Sequence, residues 1–171
     1  MRYRLDVVAS SVLDVVRFAG GWLFDRSMAG WDVTVLLTDL ADHSDLRPLQ
    51  IIGARTLDLD RTLESVDDRP RPQALAAAAD LVGCDSRVRQ GVLRALDHGV
   101  TEVTLWGDTW PAELDGSVGR VQHRLSMAAQ MFKAKALAAA AMPEYSIGHT
   151  ENFRSGLLAC PSVAADLVPA G

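Results

Sequence analysis

Polar residues follow four apolar segments that the sequence predicts to be strands. Ser10 and Ser11 follow the first segment, Asp39 the second, Arg55 the third and Asp108 the fourth. In an open parallel sheet, ligands bind beyond the carboxyl ends of the strands. These residues are therefore the predicted ligand-binding residues, and their side chains suit a small polar or anionic ligand. A local interpretation stays open, in which the serines cap a helix and Asp39 caps a turn.

The segment 5–39 has the most regular pattern in the chain. Residues 5–9 and 33–37 are apolar and predict two short strands. Between them, apolar residues recur at three- and four-residue steps, which is the helical period. Strand, helix and strand within about 35 residues match the length of a βαβ crossover, so the sequence predicts an α/β fold with a Rossmann-like start. Gly20 and Gly21 mark either a kink in this helix or a close approach by another part of the chain.

The turn after the first strand decides whether a dinucleotide could bind. Asp39 stands where a Rossmann domain has its ribose-binding acid. However, the turn at Ser10 and Ser11 contains neither GxGxxG nor a GxxxxGK motif, so a pyrophosphate would have no glycine cradle. We therefore expect no dinucleotide and no other cofactor.

One short acidic segment is a candidate cation site. Asp39, Asp42, His43 and Asp45 could offer oxygen ligands to Mg²⁺ or Ca²⁺, but the segment lacks the glycine and the spacing of an EF-hand loop. The cysteines have no CxxC spacing, and no two histidines stand four residues apart. We therefore predict a solvated acidic loop and no metal site.

No catalytic set can be assembled from motifs. Serine, histidine and aspartate residues are present, but no GxSxG turn places a nucleophile beside a base. Catalytic residues stay unassigned, and the sequence alone leaves open whether the chain is an enzyme.

Residues 73–98 resemble two helices joined at a glycine-containing turn, as in a helix-turn-helix. Arg87, Arg89 and Arg94 on the second helix would be its nucleic-acid-binding residues. Nearby aspartates largely cancel these charges, and the whole chain carries a net charge of −5 with a pI near 5.3. Nucleic-acid binding is therefore an alternative only, and an ordinary helical hairpin is favoured.

The other predicted elements complete a sheet of about four mainly parallel strands flanked by helices. In chain order, they are a strand at 48–53, a surface helix at 58–66, a helix at 73–82, a helix at 86–98, a strand at 101–106, a long C-terminal helix at 121–142, and short helices at 151–159 and 162–168.

We predict a single α/β domain over residues 1–143 and a C-terminal extension over residues 144–171. The extension is rich in apolar residues that must be buried, either on the domain or on a second subunit. A homodimer through the C-terminal third is therefore predicted. The part played by the basic face of the 120–135 helix stays open. No apolar run approaches a membrane span, and aspartates interrupt the apolar part of the N-terminus, so we expect a cytoplasmic protein. The arginine- and alanine-rich composition is typical of a G+C-rich bacterial genome.

These patterns favour a non-catalytic α/β module that senses a small molecule or binds a partner. The first alternative is a small-molecule enzyme with its site at the carboxyl ends of the strands. The second is a helix-turn-helix DNA-binding regulator that uses residues 73–98. The identity of the ligand and the order of the strands cannot be read from the sequence.

Overall fold

The computed structural model describes residues 2–40, 45–65, 69–156 and 166–171. Within these ranges the strands, in chain order, are β1 (Arg4–Ala9), β2 (Asp32–Leu37), β3 (Arg55–Asp58), β4 (Ala74–Ala78), β5 (Glu102–Trp106), β6 (Val118–Arg124), β7 (Thr150–Gly156) and β8 (Val168–Pro169). The α-helices are α1 (Val12–Met28), α2 (Arg47–Ile51), α3 (Leu59–Glu64), α4 (Ala79–Cys84), α5 (Ser86–His98) and α6 (Met127–Ala139).

The described strands form one mixed sheet in the order β3-β2-β1-β4-β5-β7-β6-β8. The first five of these positions are parallel neighbours, whereas β7 pairs antiparallel with both β5 and β6. β8 pairs antiparallel with β6 at the other end of the order. The strand order reverses between β1 and β4, because the chain runs outward to β3 and then returns to the other side of β1. A doubly wound sheet binds its ligands at such a switch point.

The α/β class is as predicted, but the prediction of about four strands is wrong, because the described sheet has eight. The alanine-rich segment at 73–82 was expected to be a helix. Its first half is the central strand β4, which pairs with β1 and β5 and has mostly small, buried side chains. Burial in a sheet here overrides the helix propensity of alanine.

Two more predicted elements are corrected in the same way. The long C-terminal helix at 121–142 is shorter, because its first residues belong to β6 and α6 begins only after its cap at Ser126. The segment at 151–159 was predicted to be helical, but residues 150–156 form β7. Residues 157–165, with most of the helix predicted at 162–168, lie outside the described residues.

The strand predicted at 48–53 is also wrong, because these residues form most of the short helix α2. Pro48 stands in the first turn of α2, where a proline has no helical hydrogen bond to lose. The predicted strands at 5–9, 33–37 and 101–106 match β1, β2 and β5 to within a residue or two.

Helix α1 packs on one face of the sheet, and its middle passes close to the start of α6. A side-chain carbon added at Gly21 would overlap the side chain of Leu125, and one added at Gly20 would lie 3.5 Å from Lys133 Cγ. The glycines therefore permit close packing rather than a kink, and α1 runs unbroken through them. Helix α5 lies on the opposite face, where Leu96 approaches Gly156 of β7.

Candidate active site at the carboxyl ends of the parallel strands

The carboxyl end of β1 leads directly into α1. Ser11 is the N-cap of this helix, and its hydroxyl accepts a hydrogen bond from the backbone N–H of Asp14 at 3.4 Å. Ser10, the first residue after β1, is exposed at the same edge. The local interpretation of Ser11 as a cap is thus realised, while the assignment of both serines to a ligand site remains a prediction.

Asp14 is the carboxylate that the end of β1 holds at this edge. Its Oδ2 accepts a hydrogen bond from the indole N–H of Trp106, the last residue of β5, at 3.1 Å. Burial of the carboxyl group raises the pKa of Asp14 above its ordinary value, and the bond from Trp106 opposes this only in part. The nearby negative charge of Asp80 raises the pKa of Asp14 further.

Asp80 comes from the opposite side of the switch point. It lies in the first turn of α4, directly after β4, and its side chain is exposed. One carboxylate therefore follows β1 and the other follows β4, the two strands between which the order reverses. Asp14 and Asp80 thus border the crevice in which doubly wound sheets place their ligands.

The end of β5 forms the next part of this edge. Gly107 has a φ of +125°, a conformation that favours glycine, and an added side-chain carbon would lie 3.5 Å from Ala79 Cβ. The next residue, Asp108, is exposed and lines a cavity of about 440 Å³. The cavity lies between the turn that follows β5 and one face of β6 and β7.

Four of the predicted ligand-binding residues are brought to one edge of the sheet. Asp39 follows β2 in a turn with a φ of +52°, Ser10 and Ser11 follow β1, and Asp108 follows β5. Arg55 is not brought there, because it begins β3 instead of following a strand. Its guanidinium pairs with Asp32 at 2.7 Å, at the amino ends of the strands.

The acidic segment after β2, which contains Asp39, Asp42, His43 and Asp45, is the candidate cation site of the sequence. Asp42 and His43 lie outside the described residues, and Asp45 is paired with Arg47 at 2.7 Å. Hydrogen bonds from Arg47 lower the pKa of Asp45 to about 2. In residues 2–40, 45–65, 69–156 and 166–171, no group of three histidine, cysteine, aspartate or glutamate side chains could hold a metal ion.

The helix-turn-helix alternative over residues 73–98 lacks a full first helix, because residues 74–78 form β4 and only the six-residue α4 precedes α5. Its arginines on α5 are also engaged by neighbours within the chain. Arg87 pairs with Asp60 and Asp85, Arg89 donates to the carbonyl oxygen of Gly83, and Arg94 donates to that of Gln90. The DNA-binding alternative therefore lacks its first full helix, and the charge of Arg87 is paired within the chain. Among the described helices, none is long and apolar enough to cross a membrane.

The sequence reasoning missed the two carboxylates at the switch point. Asp14 lies in an otherwise apolar segment, and Asp80 is one of the aspartates near the arginines of residues 73–98. The available signal was an acidic residue within the first turn of a helix that follows a strand. For Asp80 this signal was hidden, because β4 itself was not predicted.

Comparisons with known proteins give a fold likeness. No protein-family model matches the chain, and no curated protein matches its sequence. The solved structure of the pseudoaglycone deacetylase Dbv21 is similar, with a TM-score of 0.65, 14% identity, and coverage of 90% of this chain and 97% of that one. A deacetylase in complex with teicoplanin, from the teicoplanin biosynthetic pathway, has a TM-score of 0.61 and 11% identity, and covers 98% of this chain and 99% of that one.

A third similar structure has a different activity. It is GalB, the 4-carboxy-2-hydroxymuconate hydratase of Pseudomonas putida KT2440, with a TM-score of 0.56, 12% identity, and coverage of 90% of this chain and 95% of that one. The prediction of a non-catalytic module is therefore wrong on this comparison, because these similar structures are those of deacetylases and a hydratase. The alternative of an enzyme agrees better with these likenesses. At such low identities, what the comparisons establish for this chain is its fold, which is that of deacetylases and a hydratase.

Proposed function

We propose that this protein is an enzyme that activates a water molecule and adds it to a small polar substrate. The observation that carries the proposal is Asp14, a half-buried carboxyl group at the switch point of the sheet. A carboxyl group with a raised pKa in a crevice is suited to general base chemistry near neutral pH.

The similar structures support water as the reactant. A deacetylase cleaves an acyl group by adding water to its carbonyl carbon, and a hydratase adds water to a carbon–carbon double bond. The two reactions share one requirement, which is a base that removes a proton from water as its oxygen forms the new bond. We extend this shared chemistry to the present chain and do not assign it either specific substrate.

The local geometry suits Asp14 to that task. Trp106 binds Oδ2 and fixes the orientation of the carboxylate, while no described residue donates a hydrogen bond to Oδ1. In its ionised form, Asp14 would take a proton from a water molecule placed at Oδ1. The nearby charge of Asp80 favours the protonated form of Asp14 after this transfer. Protonated Asp14 can then return the proton to the leaving group or to the substrate carbon.

Replacement of Asp14 by asparagine tests this function. The purified protein is first assayed for release of acetate from a panel of N- and O-acetylated small molecules, and for hydration of conjugated dienoates by their loss of ultraviolet absorbance. Asp14→Asn should lower the activity found by at least about 100-fold, the usual contribution of a general base. Asp97→Asn is the matched control, because Asp97 is an exposed aspartate of α5 away from this edge. Full activity of Asp14→Asn would overturn the proposal.

A bacterial, cytoplasmic setting is part of the same proposal. The bacterial origin rests on the composition of the sequence, and the cytoplasmic location on its lack of a long apolar run. Cell fractionation of a G+C-rich bacterial host that expresses the protein would test it. Recovery in the membrane or the medium would contradict it.

A further inference from the structure

The cavity beside β5 is lined by one face of the antiparallel strand pair β6 and β7. Successive side chains of a strand point to opposite faces of the sheet. His123 and Phe153 point toward α1, where they contact Asp25 and Trp22. The residues one position away on each strand therefore point to the other face, toward the cavity.

Four hydrogen-bonding side chains form a block on that face, two from each strand. In the register of the antiparallel pair, Arg120 stands opposite Arg154, and Gln122 stands opposite Asn152. All four line the cavity. Like charges directly opposite one another across two strands are destabilising. A negatively charged group bound between the two guanidinium groups would remove this repulsion.

The two arginines differ in how they are held. Arg154 lies with its guanidinium 4.3 Å from the ring centre of Trp110, and its Nη1 is 3.6 Å from the exposed carboxylate of Asp115. The contact with Asp115 is long and screened by solvent, so it neutralises the charge of Arg154 only weakly. Arg120 is exposed and forms no ion pair with any described residue. The guanidinium group of Arg154 is thus held in place by Trp110. The guanidinium group of Arg120 can donate hydrogen bonds to a bound anion.

Asp108 also lines the cavity, with an exposed side chain. Its carboxylate can accept a hydrogen bond from a hydroxyl group, as can the amide oxygens of Gln122 and Asn152. The occupant that matches this set carries an anionic group at one end and hydroxyl groups elsewhere.

We propose that this cavity binds the anionic group of a small hydroxylated substrate, a carboxylate or a phosphate, between Arg120 and Arg154. The inference rests on the proposed function, because it places this substrate beside the edge that carries Asp14. Gly107 lines the cavity, and it directly follows Trp106, the residue whose indole N–H binds Asp14. A substrate anchored at the arginines can therefore extend along the edge toward the crevice between β1 and β4.

Anion binding can be measured without any turnover. The intact protein is titrated with inorganic phosphate, and separately with glycerate, at constant ionic strength, while the Nε–H signals of its arginines and the indole signals of its tryptophans are followed by NMR. Saturable shifts at Arg120, Arg154 and Trp110 are expected. The tighter of the two probes identifies the anionic group as a phosphate or a carboxylate.

Variants on one strand separate the site from general charge effects. Arg120→Ala should weaken binding by about tenfold or more, as expected for loss of a charge-assisted hydrogen bond. Arg124→Ala is the matched control, because Arg124 is an exposed arginine of the same strand that does not line the cavity. Absence of saturable binding, or equal weakening by both variants, would overturn the inference.

The outcome is distinguishable from that of the proposed function. The Asp14→Asn variant should bind phosphate and glycerate with unchanged affinity, because Asp14 does not line the cavity. Lost anion binding together with an inactive Asp14→Asn variant would overturn only the anion site. Intact anion binding together with a fully active Asp14→Asn variant would overturn only the role of Asp14.

Discussion

Lys133 and Glu151 form a buried ion pair whose two side chains also hydrogen-bond to backbone groups of α1. Lys133 Nζ lies 2.6 Å from Glu151 Oε1 and also donates to the carbonyl oxygen of Arg17 at 2.6 Å. Glu151 accepts hydrogen bonds from the backbone N–H groups of Gly21 and Trp22, each at 2.8 Å. In a regular helix the N–H of Gly21 would itself bind the carbonyl of Arg17, four residues earlier. The pair therefore binds the same two backbone groups that a helical hydrogen bond would join.

Breaking this pair should strongly destabilise the protein. Lys133→Met or Glu151→Gln should each lower the free energy of unfolding by roughly 3–5 kcal/mol, because a charged group is left buried and alone. The double variant Lys133→Met/Glu151→Leu should not restore stability, since it removes the hydrogen bonds of both side chains to backbone groups of α1. Urea unfolding measures all three. Arg55→Ala, which breaks an exposed pair with Asp32, should cost about 1 kcal/mol or less. Single variants of Lys133 and Glu151 as mild as this control would contradict the expectation.

The glycines of two helices should respond in opposite directions to alanine. Gly21→Ala places a carbon onto the side chain of Leu125 and close to Glu151, so it should destabilise by about 1–3 kcal/mol through overpacking. Gly91 lies in α5, and an added carbon there would meet nothing within 4 Å. Gly91→Ala should therefore stabilise by about 0.4–1 kcal/mol. Thermal or urea unfolding of both variants checks the contrast, and equal effects would argue against close packing at Gly21.

The activity should follow the ionisation of Asp14. A general base acts only when ionised, so kcat/KM should rise with pH and reach half its limit above 3.8, the ordinary value for aspartate. Trp106→Phe removes the hydrogen bond that opposes the raised pKa, so it should move this midpoint to higher pH. A midpoint that moves to lower pH in Trp106→Phe would contradict the assignment.

The same shift gives a stability signature with a defined sign. The folded-state pKa of Asp14 is raised above its unfolded value, so its contribution to stability is present below the unfolded pKa and is lost as pH rises through the folded pKa. At neutral pH, Asp14→Asn should therefore unfold at a temperature equal to or above that of the unchanged protein. Calorimetry at pH 7 checks this, and a marked fall would show that Asp14 is mainly a structural group.

The homodimer remains a prediction, and α6 offers a surface on which to test it. Met127 and Met131 are both largely exposed on this helix. If a second copy covers them, Met127→Lys/Met131→Lys should convert a dimer into a monomer, as measured by light scattering at tens of micromolar. Val100→Lys, at another exposed apolar residue, should leave the mass unchanged. A monomeric unchanged protein would refute the dimer.

The sequence predicted the fold correctly where the local propensity of the residues and their tertiary pairing favour the same secondary structure. Five residues are predicted from sequence to be buried in strands: Val35, Leu37, Ile51, Val103 and Leu105. All but Ile51 are buried strand residues, whereas Ile51 lies in α2 and is only partly buried. The predictions failed where the two preferences conflict. β4 consists of alanine and leucine, so only its pairing with β1 and β5 makes it a strand. Such pairing joins residues that are far apart in the chain, so it cannot be predicted from a short segment of sequence.

The candidate site was predictable at its edge and not at its centre. Ser10, Ser11, Asp39 and Asp108 could be placed because each follows a strand that was predicted. The arginines at 120 and 154 could not, because their relation depends on the register of β6 with β7, and both strands had been expected to be helical. A cross-strand register is set by long-range pairing, which leaves little local trace.

The place of β7 in the sheet also has a consequence during synthesis on the ribosome. β6 is made before β7, yet its described strand partners are β7 and β8, which come later in the chain. Until residues 150–156 emerge, the newly made β5 carries an open edge and β6 has no neighbour. Open edges of this kind pair readily with other chains, so a translation product that stops before residue 150 should aggregate or be held by chaperones.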